Sequence, residues 1–387
     1  MTQTKSAPAG FHMPIWGWIL AAGLVLAIVL KFVHVPGLAG GALEAIAGLC
    51  LIAGSCEALI MSVEGMSALL GWNQFVGGTI AAVVSNVPEI ALLGFFVVDD
   101  PTMAFVIGLM SVYTNSMAFA LYAVVMPKDR GTASIPMPIV RAGTDLLSFG
   151  GGLCLALAIT MIVLREFGSP IDRIGVPELY FVGFSLLAVF GTFLVSLVRY
   201  FGQEEKKDEG AKETVTPDEH AHGVPKTYGG VAGLLVLGVF GAFLGGESMS
   251  EVGDSIVAAF PSLSRMAVAL ILAIIAGVPT YVIVLNAHYK KQPLIALSNT
   301  FGGLTQNLFN VMAFCCLMIA FFNTIGVLHD QTIPITIPTT LALALIYPTY
   351  AILSRAIEDD GKFNWIEIVS LVALFALLMF VLVRDGG

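Results

Sequence analysis

Charged residues are scarce in this 387-residue sequence: 12% of its residues are Asp, Glu, Lys or Arg, whereas 57% are hydrophobic. Soluble domains carry about 25% charged residues, so a soluble globule of this composition could not cover its own surface. The mean hydropathy is +0.90. Lipid is therefore the expected solvent. A net charge of −9 and a pI near 5.1 argue against nucleic acid as a partner.

The sequence also lacks the usual motifs of enzymes and of bound metal cofactors. It contains no GxSxG, HExxH or phosphate-binding loop and no cluster of histidines, so we predict neither an enzyme nor a cofactor. Its five cysteines lie in apolar stretches without a CxxC spacing. The neighbours Cys315 and Cys316 are expected to pack as small hydrophobic residues.

Eleven apolar segments are each long enough to cross a bilayer, for which about 20 residues are needed. They cover roughly residues 14–33, 40–70, 74–98, 103–126, 136–164, 177–201, 228–258, 265–287, 293–323, 334–354 and 364–383. The first is interpreted as a retained span because it is too long for the core of a signal peptide and no cleavage site follows it. The predicted organisation is an extra N-terminal helix (1–39), a first half (40–201), a charged linker (202–227) and a second half (228–387).

Positive charges indicate the orientation. With eleven spans, 13 of the 18 Lys and Arg residues fall on the side of the N-terminus and five on the other side. Because Lys and Arg accumulate in cytoplasmic loops, the N-terminus and the linker are predicted to be cytoplasmic and the C-terminus outside. We expect an integral protein of a bacterial inner membrane. The linker is interpreted as a solvated tether, with calcium or pH sensing as the alternative.

Two segments, beginning at Gly54 and Gly245, share a pattern. Each carries two acids seven residues apart, which places both on one helix face. The next span then contains a proline, and the span after it contains polar residues. The matching pairs are Glu57–Glu64 with Glu247–Asp254, Pro88 with Pro279, and Asn115 with Asn307. Because corresponding spans run in opposite directions, the predicted fold is all-α and membrane-spanning, with about eleven helices and two inverted repeats with interrupted helices.

This pattern resembles the calcium/cation antiporter superfamily, which includes the sodium/calcium and calcium/proton exchangers. The matching stretches are residues 77–80, 85–89 (SNVPE), 113–115, 277–280 and 305–310. The resemblance implies an acid in both repeats. This chain has Glu89 in the first repeat but Thr280 at the corresponding position of the second, which puts a symmetric calcium site with two carboxylates in doubt.

The predicted site combines a carboxylate with neutral oxygen donors. A charge at the bilayer centre costs roughly 3 kcal/mol on insertion scales, so an acid inside a span indicates a function. Pro88 lacks a backbone donor and leaves carbonyl oxygens that can face an ion. The predicted cation-binding residues are Glu89, which is also the metal ligand and the proton-coupling group, with Ser85, Asn86, Thr114, Asn115, Thr280, Gln306 and Asn307. The predicted secondary vestibule consists of Glu57, Glu64, Glu247 and Asp254.

The resemblance implies a secondary antiporter that exchanges calcium for protons or sodium by alternating access. The missing second acid motivates an alternative, a monovalent cation/proton exchanger that has lost calcium use. A cation channel is the alternative that is not a carrier, and helix–helix hydrogen bonding is the alternative role for the polar side chains. The expected partners are inorganic cations, protons and the lipid bilayer. The oligomeric state is left open.

Overall fold

The computed structural model describes residues 13–33, 35–72, 74–126, 133–134, 137–166, 173–196, 198–199, 225–289, 293–328, 332–360 and 362–384, and most of them are helical. The predicted linker lies outside the described residues up to residue 224. The domain boundaries therefore stay a prediction.

The helices follow the predicted spans. Helix α1 (Ile15–Phe32) is the predicted extra N-terminal helix. Those of the first half are α2 (Gly37–Leu70), α3 (Gln74–Ser85), α4 (Val87–Asp99), α5 (Pro101–Val125), α6 (Met137–Glu166) and α7 (Val176–Ser196). Those of the second half are α8 (Tyr228–Ala259), α9 (Arg265–Tyr289), α10 (Pro293–Gln306), a π-helical turn (Asn307–Met312), α11 (Ala313–Thr324), α12 (Ile337–Asp360) and α13 (Trp365–Arg384). Among the described residues, nine helices are long and apolar enough to cross a membrane, and two shorter apolar helices lie within α9 and α13. Together they match the eleven predicted spans, and the fold class is confirmed.

Two short antiparallel strand pairs connect the halves. Strand β1 (Ala133–Ser134) pairs with β4 (Lys362–Phe363), and β2 (Arg173–Ile174) pairs with β3 (Ile333–Pro334). The predicted topology places β1 and β4 on one side of the membrane and β2 and β3 on the other. One span more or fewer between paired strands would separate them, so the pairings agree with the count of spans.

Helices α2 and α8 pack closely in opposite directions. A Cβ atom added at Gly48 would lie 3.2 Å from the Gly245 carbonyl oxygen, and one added at Gly245 would lie 3.2 Å from the backbone nitrogen of Ile52. Small residues allow membrane helices to approach in this way. Since the helices are antiparallel, Glu57 and Glu247 lie toward opposite ends of the pair, as inverted repeats require.

The two helix interruptions do not occupy equivalent positions. Helices α3 and α4 separate at Asn86, and Pro88 lies in the first turn of α4, where its missing N–H is not needed. The counterpart α9 is helical throughout, although it contains Pro279. The second interruption is the π turn, and its counterpart α5 is continuous. The repeats therefore share helix order and direction, but they differ in where the backbone is irregular.

Gly246 brings α8 against the backbone of α4. A Cβ atom there would lie 2.8 Å from the backbone nitrogen of Leu92 and 3.0 Å from the carbonyl carbon of Ala91. We expect Gly246→Ala to destabilise the protein by about 1–3 kcal/mol, because neither backbone atom can move alone. The measurement is the melting temperature in detergent.

The matched control is Gly233→Ala in the same helix, where an added Cβ meets nothing within 4 Å. Alanine is about 1 kcal/mol better than glycine in a helix, so this variant should keep or raise the melting temperature. Equal melting temperatures for the two variants would contradict the importance of the α4–α8 approach.

Candidate cation-binding site

Glu89 lies in the first turn of α4, directly after the helix break. It follows the start of α3 by 15 residues and precedes the end of α4 by ten. At 1.5 Å per residue, these distances are roughly 22 Å and 15 Å, so the carboxyl group is inside the membrane-spanning part. The positive end of the α4 helix dipole also favours a carboxylate at this place.

The Glu89 carboxylate contacts both halves of the protein. Ser111 Oγ in α5 donates a hydrogen bond to Glu89 Oε1 over 2.6 Å, and Asn307 Nδ2 in the π turn donates to the same oxygen over 3.5 Å. Asn307 is only 1% exposed. Its Oδ1 atom has no hydrogen-bond partner in the part of the chain that the structure describes. A buried oxygen left unpaired costs about 1–3 kcal/mol, and a cation is a suitable partner for it.

Gln306 connects the two interruptions. Asn86 Nδ2, at the α3–α4 break, donates to Gln306 Oε1 over 3.4 Å. Gln306 Nε2 donates to the Thr79 carbonyl oxygen, also over 3.4 Å. The break of the first repeat and the π turn of the second are therefore in contact, although they are not equivalent in sequence. Polar groups from both repeats thus meet at one place, which we call the Glu89 junction. It comprises Asn86, Glu89, Ser111, Gln306 and Asn307.

Two further predicted residues, Thr114 and Asn115, direct their donors into their own helix. Thr114 Oγ1 and Asn115 Nδ2 donate to the Ser111 carbonyl oxygen over 3.1 and 2.9 Å. The Asn115 Oδ1 atom lies against Gly303, where an added Cβ would be 2.7 Å from it. Their oxygen atoms are thus the groups that could face an ion.

Ser85 is at the end of α3. Its hydroxyl donates to the Ala82 carbonyl oxygen over 2.8 Å. The Ser85 carbonyl oxygen, which the break leaves without its helical partner, accepts a weak hydrogen bond from Cys56 Sγ over 3.7 Å. The Cys56 thiol of α2 therefore donates to one of the carbonyl oxygens that were expected to face an ion.

Thr280 is half-buried in α9, and no described contact joins it to Glu89. The next residue, Tyr281, is hydrogen-bonded to Thr114 and lies within electrostatic range of Glu89. The structure therefore brings Asn86, Gln306 and Asn307 to the Glu89 junction, and Tyr281, the neighbour of Thr280, contacts Thr114.

The four predicted vestibule acids lie on α2 and α8. Glu57, Glu64 and Asp254 are exposed. Glu247 forms an ion pair with Lys31 of α1, whose Nζ is 2.9 Å from Glu247 Oε1. Among the described contacts, none joins these four acids to Glu89. Their role as a vestibule stays a prediction.

Comparison with known proteins finds similarity to the same superfamily in the second half of the chain. The profile of the sodium/calcium exchanger protein family matches residues 230–384, which contain nearly all of α8 to α13. The resemblance to the calcium/cation antiporter superfamily is confirmed. No curated protein matches this sequence at a significant level.

Solved structures of superfamily exchangers share the fold. The H⁺/Ca²⁺ exchanger CAX superposes with a TM-score of 0.68 at 12% identity, over 96% of this chain and 92% of that chain. The Ca²⁺/H⁺ antiporter protein YfkE gives 0.64 at 16% identity, over 96% and 99%. The sodium-calcium exchanger NCX_Mj gives 0.54 at 15% identity, over 88% and 97%. At these identities the likeness establishes the fold.

The sequence did not indicate two residues that lie at the junction or beside it, Ser111 and Tyr281. Ser111 lies one helical turn before Asn115, so the i to i+4 spacing could have found it. Tyr281 is adjacent to Thr280, and no pattern in the sequence indicated which of the two faces α5.

Removing the Ser111 hydroxyl should weaken ion binding. A hydrogen bond to a charged group contributes about 1.5–3 kcal/mol, so Ser111→Ala should lower cation affinity by about tenfold or more. The measurement is the cation concentration that gives half-maximal uptake into proteoliposomes. The control is Ser116→Ala, because Ser116 Oγ donates to the Val112 carbonyl oxygen of the same helix. Equal affinities for the two variants would argue against the Ser111–Glu89 contact.

Proposed function

We propose that this protein is a secondary cation antiporter, with calcium as the leading substrate and protons or sodium as the exchanged ion. The site observation behind the proposal is the Glu89 carboxylate inside the membrane-spanning part, next to the unpartnered Asn307 Oδ1. The fold supports it, since the similar structures are named as H⁺/Ca²⁺, Ca²⁺/H⁺ and sodium-calcium exchangers. The proposal assigns transport rather than catalysis to the site.

Exchange follows from competition for one carboxylate. A proton on Glu89 removes the negative charge that a cation needs, and a bound cation disfavours the proton. Glu89 and Ser111 belong to the first half and Asn307 to the second, so a movement of one half against the other breaks the 3.5 Å contact. The same movement can open the site to one side of the membrane and then to the other, which is the basis of alternating access.

One observation favours the monovalent cation/proton exchanger as the second candidate. In the described part of the chain, Glu89 is the one carboxylate at the junction, and the second repeat contributes Gln306, Asn307 and Tyr281. Calcium affinity follows the number of charged ligands, whereas one carboxylate balances one monovalent cation. Sodium is therefore tested beside calcium.

Uptake into proteoliposomes tests the proposal. The purified protein is reconstituted, and ⁴⁵Ca²⁺ or ²²Na⁺ uptake is followed under an imposed proton or sodium gradient. We expect saturable accumulation of one of the two ions that ends when the gradient is dissipated. Flux that does not saturate and needs no counter-ion would identify a channel and contradict the proposal.

A further inference from the structure

The α9 side of the junction carries a phenol. Helix α9 packs along α5. The Tyr281 side chain is hydrogen-bonded to Thr114 of that helix and lies within electrostatic range of Glu89. It is half-buried, and it stands one residue beyond Thr280, the position aligned with the first-repeat acid. A second-repeat oxygen is thus present near Glu89, but it comes from a side chain that is not an acid.

Gly277 makes room for this phenol. It precedes Tyr281 by four residues, which is about one helical turn. A Cβ atom added at Gly277 would lie 2.6 Å from the Tyr281 hydroxyl oxygen and 2.7 Å from Cζ. Any side chain at residue 277 would therefore displace the hydroxyl, and glycine allows the ring to lie back along α9.

The aligned positions of the two repeats lie in different kinds of backbone. Glu89 follows a break, whereas α9 is continuous through the matching region. In a continuous helix each residue rotates by about 100° from the one before it. Thr280 is aligned by sequence with Glu89, which lies beside a break. In a continuous helix the aligned side chain can therefore point away from the site, and that of its neighbour Tyr281 can point toward it.

The hydrogen bonds leave oxygen lone pairs available. Thr114 Oγ1 also donates to the Ser111 carbonyl oxygen. The hydrogen bond between Tyr281 and Thr114 uses at most one of the two lone pairs of the phenol oxygen, so at least one lone pair remains. Such a neutral oxygen can coordinate a cation without adding charge to the site.

We propose that Tyr281 is the second-repeat residue of the ion site and that its neutral phenol oxygen sets the ion preference of the Glu89 junction. The assignment rests on the proposed function. It predicts that the site holds one fixed negative charge and discriminates weakly in favour of divalent ions. A carboxylate at residue 281 should strengthen the preference for divalent ions, and a carboxylate at residue 280 should not.

The test compares ⁴⁵Ca²⁺ and ²²Na⁺ uptake by reconstituted wild type and four variants. Tyr281→Phe should raise the KM of the transported ion by about fivefold or more, a loss of about 1 kcal/mol in binding, and should keep the maximal rate. Gly277→Ala keeps the phenol but displaces it, so it should have the same effect. Tyr281→Glu should raise the preference for calcium over sodium by about tenfold, and Thr280→Glu should change it little.

Each outcome bears on the assignment. Gradient-coupled uptake by the wild type with unchanged KM in Tyr281→Phe and Gly277→Ala overturns the assignment and leaves the proposed function intact. A calcium preference created by Thr280→Glu instead of Tyr281→Glu also overturns it. A wild type without coupled uptake of either ion contradicts the proposed function and the assignment with it. A merely structural Tyr281 would change the maximal rate or the melting temperature and not the ratio of the two ions.

Discussion

Glu89→Gln is expected to abolish cation-dependent proton movement and to leave the protein folded. Glutamine has the same shape, and its amide oxygen can still accept the hydrogen bond from Ser111. It cannot carry the negative charge or exchange a proton, so cation and proton no longer compete at this position. We expect at least a hundredfold loss of exchange, equivalent to about 2.7 kcal/mol. A pH-sensitive dye inside proteoliposomes measures the effect.

The control for this variant is Glu247→Gln, which makes the same chemical change outside the junction. Glu247 is paired with Lys31, and such partly exposed pairs contribute about 0–1 kcal/mol to stability. Exchange by this variant should remain close to that of the wild type. Exchange that persists in Glu89→Gln would reject the proposed role of the carboxylate.

The sequence predicted the meeting of Glu89 with the second-repeat amides. The acid follows a proline inside an apolar span, and Asn307 takes the matching place to Asn115 in the inverted repeat. Polar groups of this kind in adjacent spans avoid lipid by facing one another, which explains their approach to 3.5 Å. Repeat order and polarity were sufficient for this part of the site.

The sequence does not determine how each helix is rotated about its own axis, and this limited the prediction of the other site residues. The seven-residue spacing of Glu57 and Glu64 puts both on one face of α2, but the helix is apolar over most of its surface, and the pattern does not say which face is inward. The structure exposes both acids. The same uncertainty separates Thr280 from Tyr281. One residue changes the direction by about 100°, and only the course of the continuous helix α9 decides between them.

The π turn at Asn307–Met312 was a further feature that spacing did not predict. Residues 305–307 were expected only as polar residues within a span, and the helix interruption of the second repeat was expected at Pro279. A π turn keeps the chain helical while it widens one turn, and such turns often occur at functional sites. Here the widened turn begins at the residue whose amide reaches Glu89.

Asn307→Asp should convert the junction into a stronger calcium site. The substitution places a second carboxylate where Asn307 Nδ2 now lies, 3.5 Å from Glu89 Oε1. Two negative charges about 4 Å apart repel by about 4 kcal/mol at an effective dielectric constant of 20, so the pair should take up either a proton or a divalent cation. We expect the apparent calcium affinity to rise by about tenfold or more at alkaline pH. The gain should shrink as the pH falls, because protons then compete for the pair.

A charge-matched double variant separates the number of carboxylates from their position. Glu89→Gln combined with Asn307→Asp restores one negative charge, now carried by the second repeat. The calcium gain should disappear in this variant, because calcium affinity follows the number of carboxylates that neutralise it. Calcium-dependent inhibition of ²²Na⁺ uptake, measured for both variants at two pH values, gives the comparison. If the double variant keeps the gain, or if Asn307→Asp binds calcium as the wild type does, then the Glu89 and Asn307 side chains do not share one bound ion.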